Sequence, residues 1–142
     1  MNKKHAKQLA ELLNERNELV VNYDANKILT DEEKYEYICQ KNKVIACVEI
    51  KKVQWYQWEL RHLTVSESHE GQGFAKKLLK LAEKRAIDGR ARIIQCTIRE
   101  NNKGSKGLFQ RNQYIHVSTF SNEVNGNNVE VWQKIVCPAK SE

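Results

Sequence analysis

Residues Glu59 to Leu81 read ELRHLTVSESHEGQGFAKKLLKL, and the rest of the chain is organised around them. Glu59 to Val65 alternates and is rich in strand formers. A short polar turn follows, and then Gly71 and Gly73 mark a sharp loop that lets other groups approach the backbone. From Phe74 the period changes: Phe74, Ala75, Leu78, Leu79, Ala82 and Ala86 form an apolar helical stripe. Lys76, Lys77, Lys80, Glu83 and Lys84 are expected to face away from it.

A strand that feeds a glycine loop at a helix start predicts an anion site. The first helical amides have no intrahelical acceptor, and the helix dipole places partial positive charge on them. Lys76 and Lys77 are poorly placed for the helix itself, because cations favour its other end. A phosphate in front of them would account for both. A tight structural turn is the competing reading of the two glycines.

The longer pattern discriminates better. Glu70-Gly71-Gln72-Gly73-Phe74-Ala75 resembles the Gln/Arg-x-x-Gly-x-Gly/Ala signature of the GNAT N-acetyltransferase superfamily, with Glu70 in place of the usual Gln or Arg. The resemblance continues through HLTV before the loop and IIQCTI after it. Asn102-x-x-Ser105-x-x-Leu108-Phe109 then matches the family's Asn-x-x-Ala-x-x-Leu-Tyr helix, and the whole covers roughly Val44 to Val136. It implies acetyl-CoA as co-substrate, with its diphosphate on Gly71, Gln72, Gly73, Phe74 and Ala75. It also implies a thioester held near the backbone of Leu63 and Val65, with Leu63 N–H as oxyanion donor. Asn102 matches a residue that contacts the pantetheine or thioester region, although capping the next helix is compatible with that. Ser105 approaches the sulfur or packs the helix.

In the histone-acetylating branch of the family a glutamate on this strand acts as general base. Glu59 stands at the matching distance from the loop. An ion pair with Arg61 or Arg99 is the alternative use of that carboxylate. Strand period puts Glu59, Arg61, Leu63 and Val65 on one face. Phe109 departs from the family, where tyrosine protonates the leaving thiolate. Tyr114 reads as core, and His62, His69 and His116 as structural. Lys103, Lys106 and Arg111 either meet phosphates or are solvated helix charges. Trp55, Tyr56 and Trp58 either wall an acceptor pocket or pack the hairpin.

With 142 residues, 40% hydrophobic and 30% charged, the composition is that of one ordinary globular domain. No apolar run reaches membrane-spanning length and no secretory core is present, so a cytoplasmic protein that does not engage membranes is expected. The four cysteines have no zinc spacing; they read as buried free thiols, and no metal is expected. A net charge of +6 suits a phosphate-bearing ligand, nucleic acid or an acidic protein.

The expected architecture is α/β: a mixed, mostly antiparallel sheet with a central parallel strand pair and helices on both faces. Within a single domain over residues 1–142, helices occupy 5–33, the cofactor-binding core 35–112 and a closing hairpin 114–136. Leu19 to Tyr23 is a short apolar segment of strand or helical turn. Asp24 caps a short helix, Thr30 to Glu33 reads as a capping box, and Asn42 lies in a hairpin turn. Gly89 suits a left-handed helix cap, Asn125-Gly126 signals the last turn, and Pro138 to Glu142 frays. Met1 to Lys4 is too short and polar for the family's first strand, so the sheet is expected to begin at Tyr35. The implied activity is direct acetyl transfer to an amine of a small molecule or protein, with nucleic acid a further candidate acceptor. A non-catalytic module binding acetyl-CoA or nucleic acid is the alternative, and monomer and homodimer both remain open.

Overall fold

The computed structural model describes residues 1–17, 22–121 and 126–136. The expectations for residues 19–21, Asn125, Cys137 and the stretch from Pro138 to Glu142 lie outside those residues. Elements run α1 (Lys3–Arg16), α2 (Ala25–Thr30), β1 (Tyr35–Gln40), β2 (Lys43–Lys52), β3 (Gln57–Val65), α3 (Phe74–Asp88), β4 (Ile93–Arg99), α4 (Lys103–Arg111), β5 (Ile115–Ser121) and β6 (Asn128–Ile135). The strands form one six-stranded sheet in the order β1-β2-β3-β4-β6-β5. Among the described residues β3 and β4 are the one parallel pair, and helices cover both faces. Among the described residues the first strand is β1, which starts at Tyr35 as expected.

Contacts divide the chain into two compact units, Met1–Ile50 with His62–Ala82, and Lys51–Arg61 with Glu83–Glu142. The chain passes from one to the other within β2, within β3 and within α3.

In the first unit, α1 is amphipathic because Ala6, Leu9, Ala10 and Leu13 recur at helical spacing, and all are buried. They pack with Ile28, Tyr35, Val44 and Cys47. Leu9 and Leu13 are fully buried, a contribution of about 1.5–3 kcal/mol each. Asn2 Oδ1 caps α1 by accepting from His5 N at 2.7 Å, and Asp24 Oδ1 caps α2 by accepting from Lys27 N at 2.8 Å. Thr30 is the last residue of α2 and not the N-cap of the turn that follows. Its hydroxyl donates back to Asn26 O at 2.8 Å, and the 3₁₀ turn Glu32–Lys34 has no side-chain cap. The β1–β2 hairpin closes through two left-handed residues, Lys41 (φ 49°) and Asn42 (φ 63°), the conformation that matches strand twist.

In the second unit, β4 pairs along its whole length with Val129 to Ile135 of β6, and β5 forms the sheet edge beyond β6. All seven residues of β5 are exposed, including Ile115, Val117 and Phe120, and the strand carries no lysine, arginine or acid. Gly89 is not the left-handed residue that ends α3. Arg90 takes that conformation, at φ 70°, and Ala91 N donates to Ala86 O at 2.9 Å to close the helix. Gly89 is small for another reason: a Cβ there would lie 2.4 Å from Trp58 Cζ2. Glu83 also departs from expectation, for it is buried and not solvent-facing. Its Oε2 accepts from the Tyr114 hydroxyl at 3.0 Å and from Lys134 Nζ at 2.9 Å, which gives the carboxylate partners in the interior.

Candidate active site

The first unit supplies the glycine loop. Ser66 N donates to Ile45 O at 2.7 Å, fixing the end of β3, and a 3₁₀ turn over Glu67–His69 leads into the loop. Gly71 (φ 75°) and Gly73 (φ 86°) are both left-handed, and a Cβ on either would meet nothing within 4 Å. Glycine is required there by backbone conformation, and the space beside the loop is open.

The first amide of α3 with a partner in the turn is Lys77, which donates to Gly73 O at 3.1 Å. Ahead of it, the N–H groups of Phe74, Ala75 and Lys76 have no acceptor among the described residues. A row of bare amides beside two glycines with open space next to them, at the positive end of a 15-residue helix, fits a diphosphate. His69 meets Phe74 edge-on with ring centroids 6.1 Å apart, packing the loop against the first helical turn. Glu70 is held by Arg16 of α1 in an ion pair.

Leu63 and Val65, both half-buried, follow a break in β3. The parallel register runs from Gln57↔Ile93 to Leu60↔Cys96. Two residues further on, His62 is left-handed (φ 53°), in a strand that is otherwise extended. Thr64 Oγ1 donates to His62 O at 2.7 Å and accepts from Asn17 Nδ2 at 3.1 Å, which pins the irregularity to the end of α1. The single face expected for Glu59, Arg61, Leu63 and Val65 is therefore interrupted between Arg61 and Leu63. His62 also meets the Tyr23 ring edge-on at 6.0 Å, and the Tyr23 hydroxyl donates to buried Glu49 Oε2 at 3.3 Å.

The second unit holds the remaining residues of the sequence-based site. Glu59 Oε1 accepts from Arg61 Nε at 3.3 Å, and its side chain is 17% exposed. The carboxylate is thus partly sheltered yet still reachable. Asn102 caps α4, its Oδ1 accepting from Ser105 N at 3.1 Å, so one hydrogen bond joins these two residues. Lys106 Nζ donates to Glu130 Oε2 and to Glu100 O, each at 3.0 Å. That ammonium is an anchor for α4 and not a solvated helix charge. Burial favours the neutral form of Glu130, but hydrogen bonds from Lys106 and Trp132 outweigh it and hold the carboxyl below its usual value.

Phe109 is buried and meets Tyr114 edge-on at 4.9 Å, with no hydroxyl to offer. Burial, then the Glu83 carboxylate, push the Tyr114 phenol far above its ordinary range. It stays protonated and donates to Glu83, a core role as expected. Cys47 and Cys96 are buried free thiols, pushed up by burial and hence unreactive, whereas Cys39 is exposed, contrary to expectation. Trp55 is exposed, with the Arg92 guanidinium 5.5 Å from its ring centre, and His116 stacks on Trp132. Among the described residues no helix is long and apolar enough to cross a membrane.

Two features escaped the sequence reading. His62 reads as structural, but its left-handed conformation carries no sequence signal, because a non-glycine residue of that kind inside a strand has none. Arg16 had an indirect one: the acid at position 70, where the family pattern has Gln or Arg, calls for a counter-charge.

Known proteins place these features in context. No curated protein sequence matches the chain. Among solved structures, Ard1 from Thermoplasma volcanium superposes with a TM-score of 0.83 at 13% identity, covering 96% of this chain and 94% of that one. The ribosomal-protein-S18-alanine N-acetyltransferase from Escherichia coli gives 0.78 at 12% identity, covering 96% and 91%. A GNAT family acetyltransferase from Elizabethkingia anophelis, with acetyl-CoA bound, gives 0.74 at 14% identity, covering 89% of each chain. The model of the acetyltransferase (GNAT) family matches residues 5–114. The chain belongs to that family of acyltransferases, whose co-substrate is acetyl-CoA.

Proposed function

We propose that this protein is an N-acetyltransferase that moves an acetyl group from acetyl-CoA directly to a primary amine of a protein or small molecule in the cytoplasm. The observation that carries the reading is the row of unpaired amides at Phe74, Ala75 and Lys76 behind the open Gly71–Gly73 loop. Those groups, with Gln72 N–H, hold the diphosphate. Leu63 N–H, next to the left-handed His62, donates to the thioester carbonyl oxygen, and Val65 borders the pantetheine arm. In acyl transfer such a donor contributes roughly 2.7–4 kcal/mol. Asn102 and Ser105 border the thioester.

An alkylamine with a pKa of about 10.4 is neutral in only about one molecule in 10³ at pH 7. Glu59 takes the amine proton, directly or through water. The amine nitrogen then forms the C–N bond, the C–S bond breaks, and the thiolate leaves. Phe109 cannot protonate that sulfur, so water does; a thiol pKa near 8.5 makes this inexpensive. The name of one structural neighbour, the ribosomal-protein-S18-alanine N-acetyltransferase, favours a protein amine as acceptor.

Phe109 also supports a second reading, a module that binds acetyl-CoA without turnover. Mass spectrometry of acetyl-CoA reactions with a panel of protein N-termini, small amines and nucleic acid separates the two. Acetylated product from wild type and none from Gly73→Val supports the enzyme. Binding of acetyl-CoA with no product from any acceptor supports the module.

A further inference from the structure

Glu70 is an oddity that the proposed function leaves unused. It occupies the first position of the glycine loop, three residues before Gly73, and so puts a negative charge beside a site read as binding an anion. Its side chain is half-exposed, so solvent does not hide that charge fully, and Glu67 lies one short turn before it. Loop amides at Phe74 to Lys76 attract a diphosphate, while the acids at the loop's entrance repel it.

The counter-charge comes from 54 residues away. Arg16 Nη2 donates to Glu70 Oε1. Arg16 lies in the last turn of α1, where a cation also suits the helix dipole. Its neighbour Asn17 is tied to Leu13 O at 3.0 Å and to Thr64 Oγ1 at 3.1 Å, so the end of α1 is fixed to β3. Between α1 and the 3₁₀ turn that leads into the loop runs an open cleft of ≈ 350 Å³ lined by Leu12, Glu15, Arg16, Ser66, Glu67 and Ser68. Arg16 is the one cation among these lining residues, and the guanidinium has five donors of which Glu70 engages one.

We infer that Arg16 is a cofactor-positioning residue: paired with Glu70, it cancels the acid at the loop entrance and turns spare N–H donors toward the diphosphate. The inference rests on the acetyl-CoA reading of the loop. It explains how the chain tolerates a carboxylate where its family pattern has Gln or Arg. It also makes α1 part of the cofactor site.

The test is calorimetric binding of CoA and of pantetheine, which lacks the diphosphate, to wild type, Arg16→Ala, Glu70→Gln and the double variant. Arg16→Ala is expected to weaken CoA about tenfold or more, the scale of a charge-assisted contact, and to leave pantetheine unchanged. Adding Glu70→Gln should restore CoA affinity most of the way, because the uncancelled acid is gone. Unchanged CoA affinity in Arg16→Ala overturns the inference. So does equal weakening of both ligands, which marks Arg16 as a structural strap only, and a double variant as weak as Arg16→Ala overturns the cancellation of Glu70. Wild type that binds no CoA brings down the reading of the loop, and this inference with it.

Discussion

Gly89 lies against the indole of Trp58, so close that a Cβ on the glycine would stand 2.4 Å from Cζ2 and 3.0 Å from Cη2. The close approach brings the end of α3 down onto the strand that carries Glu59. Gly89→Ala is expected to destabilise the protein by about 1–3 kcal/mol through overpacking. Trp58 Nε1 is buried without a hydrogen-bond partner among the described residues, so a smaller ring forfeits no hydrogen bond there. Trp58→Phe should therefore recover part of the loss in a Gly89→Ala background. Urea unfolding of the two single variants and the double checks the pair, and additive losses would contradict it.

Glu59 offers the most direct test of the chemistry. Glu59→Gln keeps the shape and an acceptor for Arg61 but removes the basic carboxylate, so kcat/KM should fall about 10²- to 10⁴-fold. Affinity for acetyl-CoA should hold, because no diphosphate contact is lost. Steady-state kinetics beside a calorimetric titration measure both. An unchanged kcat/KM would move the base to water or another group.

The interior cluster of Glu83, Tyr114 and Lys134 makes a graded prediction. Tyr114→Phe removes one donor from a carboxylate that keeps Lys134, at a cost of about 0.5–1.5 kcal/mol. Glu83→Ala strips a largely buried ammonium of that partner, and should cost about 3–5 kcal/mol. Chemical denaturation of both variants gives the order, and a reversed order would refute the assignment.

Glu130 ties folding to acidity. Its carboxyl is held below the ordinary 4.5 in the folded chain, so the folded state binds the proton less readily than the unfolded one. The resulting stability is complete above pH 4.5 and is lost as pH falls through the folded value. Melting temperatures taken from pH 6 to pH 3 should show wild type above Glu130→Gln at the upper end and the two converging at the lower. Parallel curves would show that the Lys106 and Trp132 contacts do not act through the charge.

Much of this was legible in the chain because glycine and hydrophobic spacing are local signals. The loop at Gly71 and Gly73, α3 from Phe74 to Asp88, and β1 from Tyr35 to Gln40 all lie where the sequence puts them. What escaped depends on partners far along the chain. Glu83 looks like a surface acid until Tyr114 and Lys134, 31 and 51 residues on, supply its hydrogen bonds. Arg90 does the turning expected of Gly89, whose smallness is demanded by Trp58. The bend at His62 belongs to a backbone state that histidine's own preferences do not announce.

The uncharged outer strand β5 has a practical consequence for anyone handling the protein. Proteins commonly keep a sheet's rim from recruiting stray chains by placing lysine or proline on it, and Ile115 to Ser121 has neither. The surplus of positive charge elsewhere keeps molecules apart in dilute buffer, but salt screens that repulsion over about 8 Å at physiological strength. Concentration and ionic strength together therefore govern whether samples stay clear, and precipitation should start along this rim.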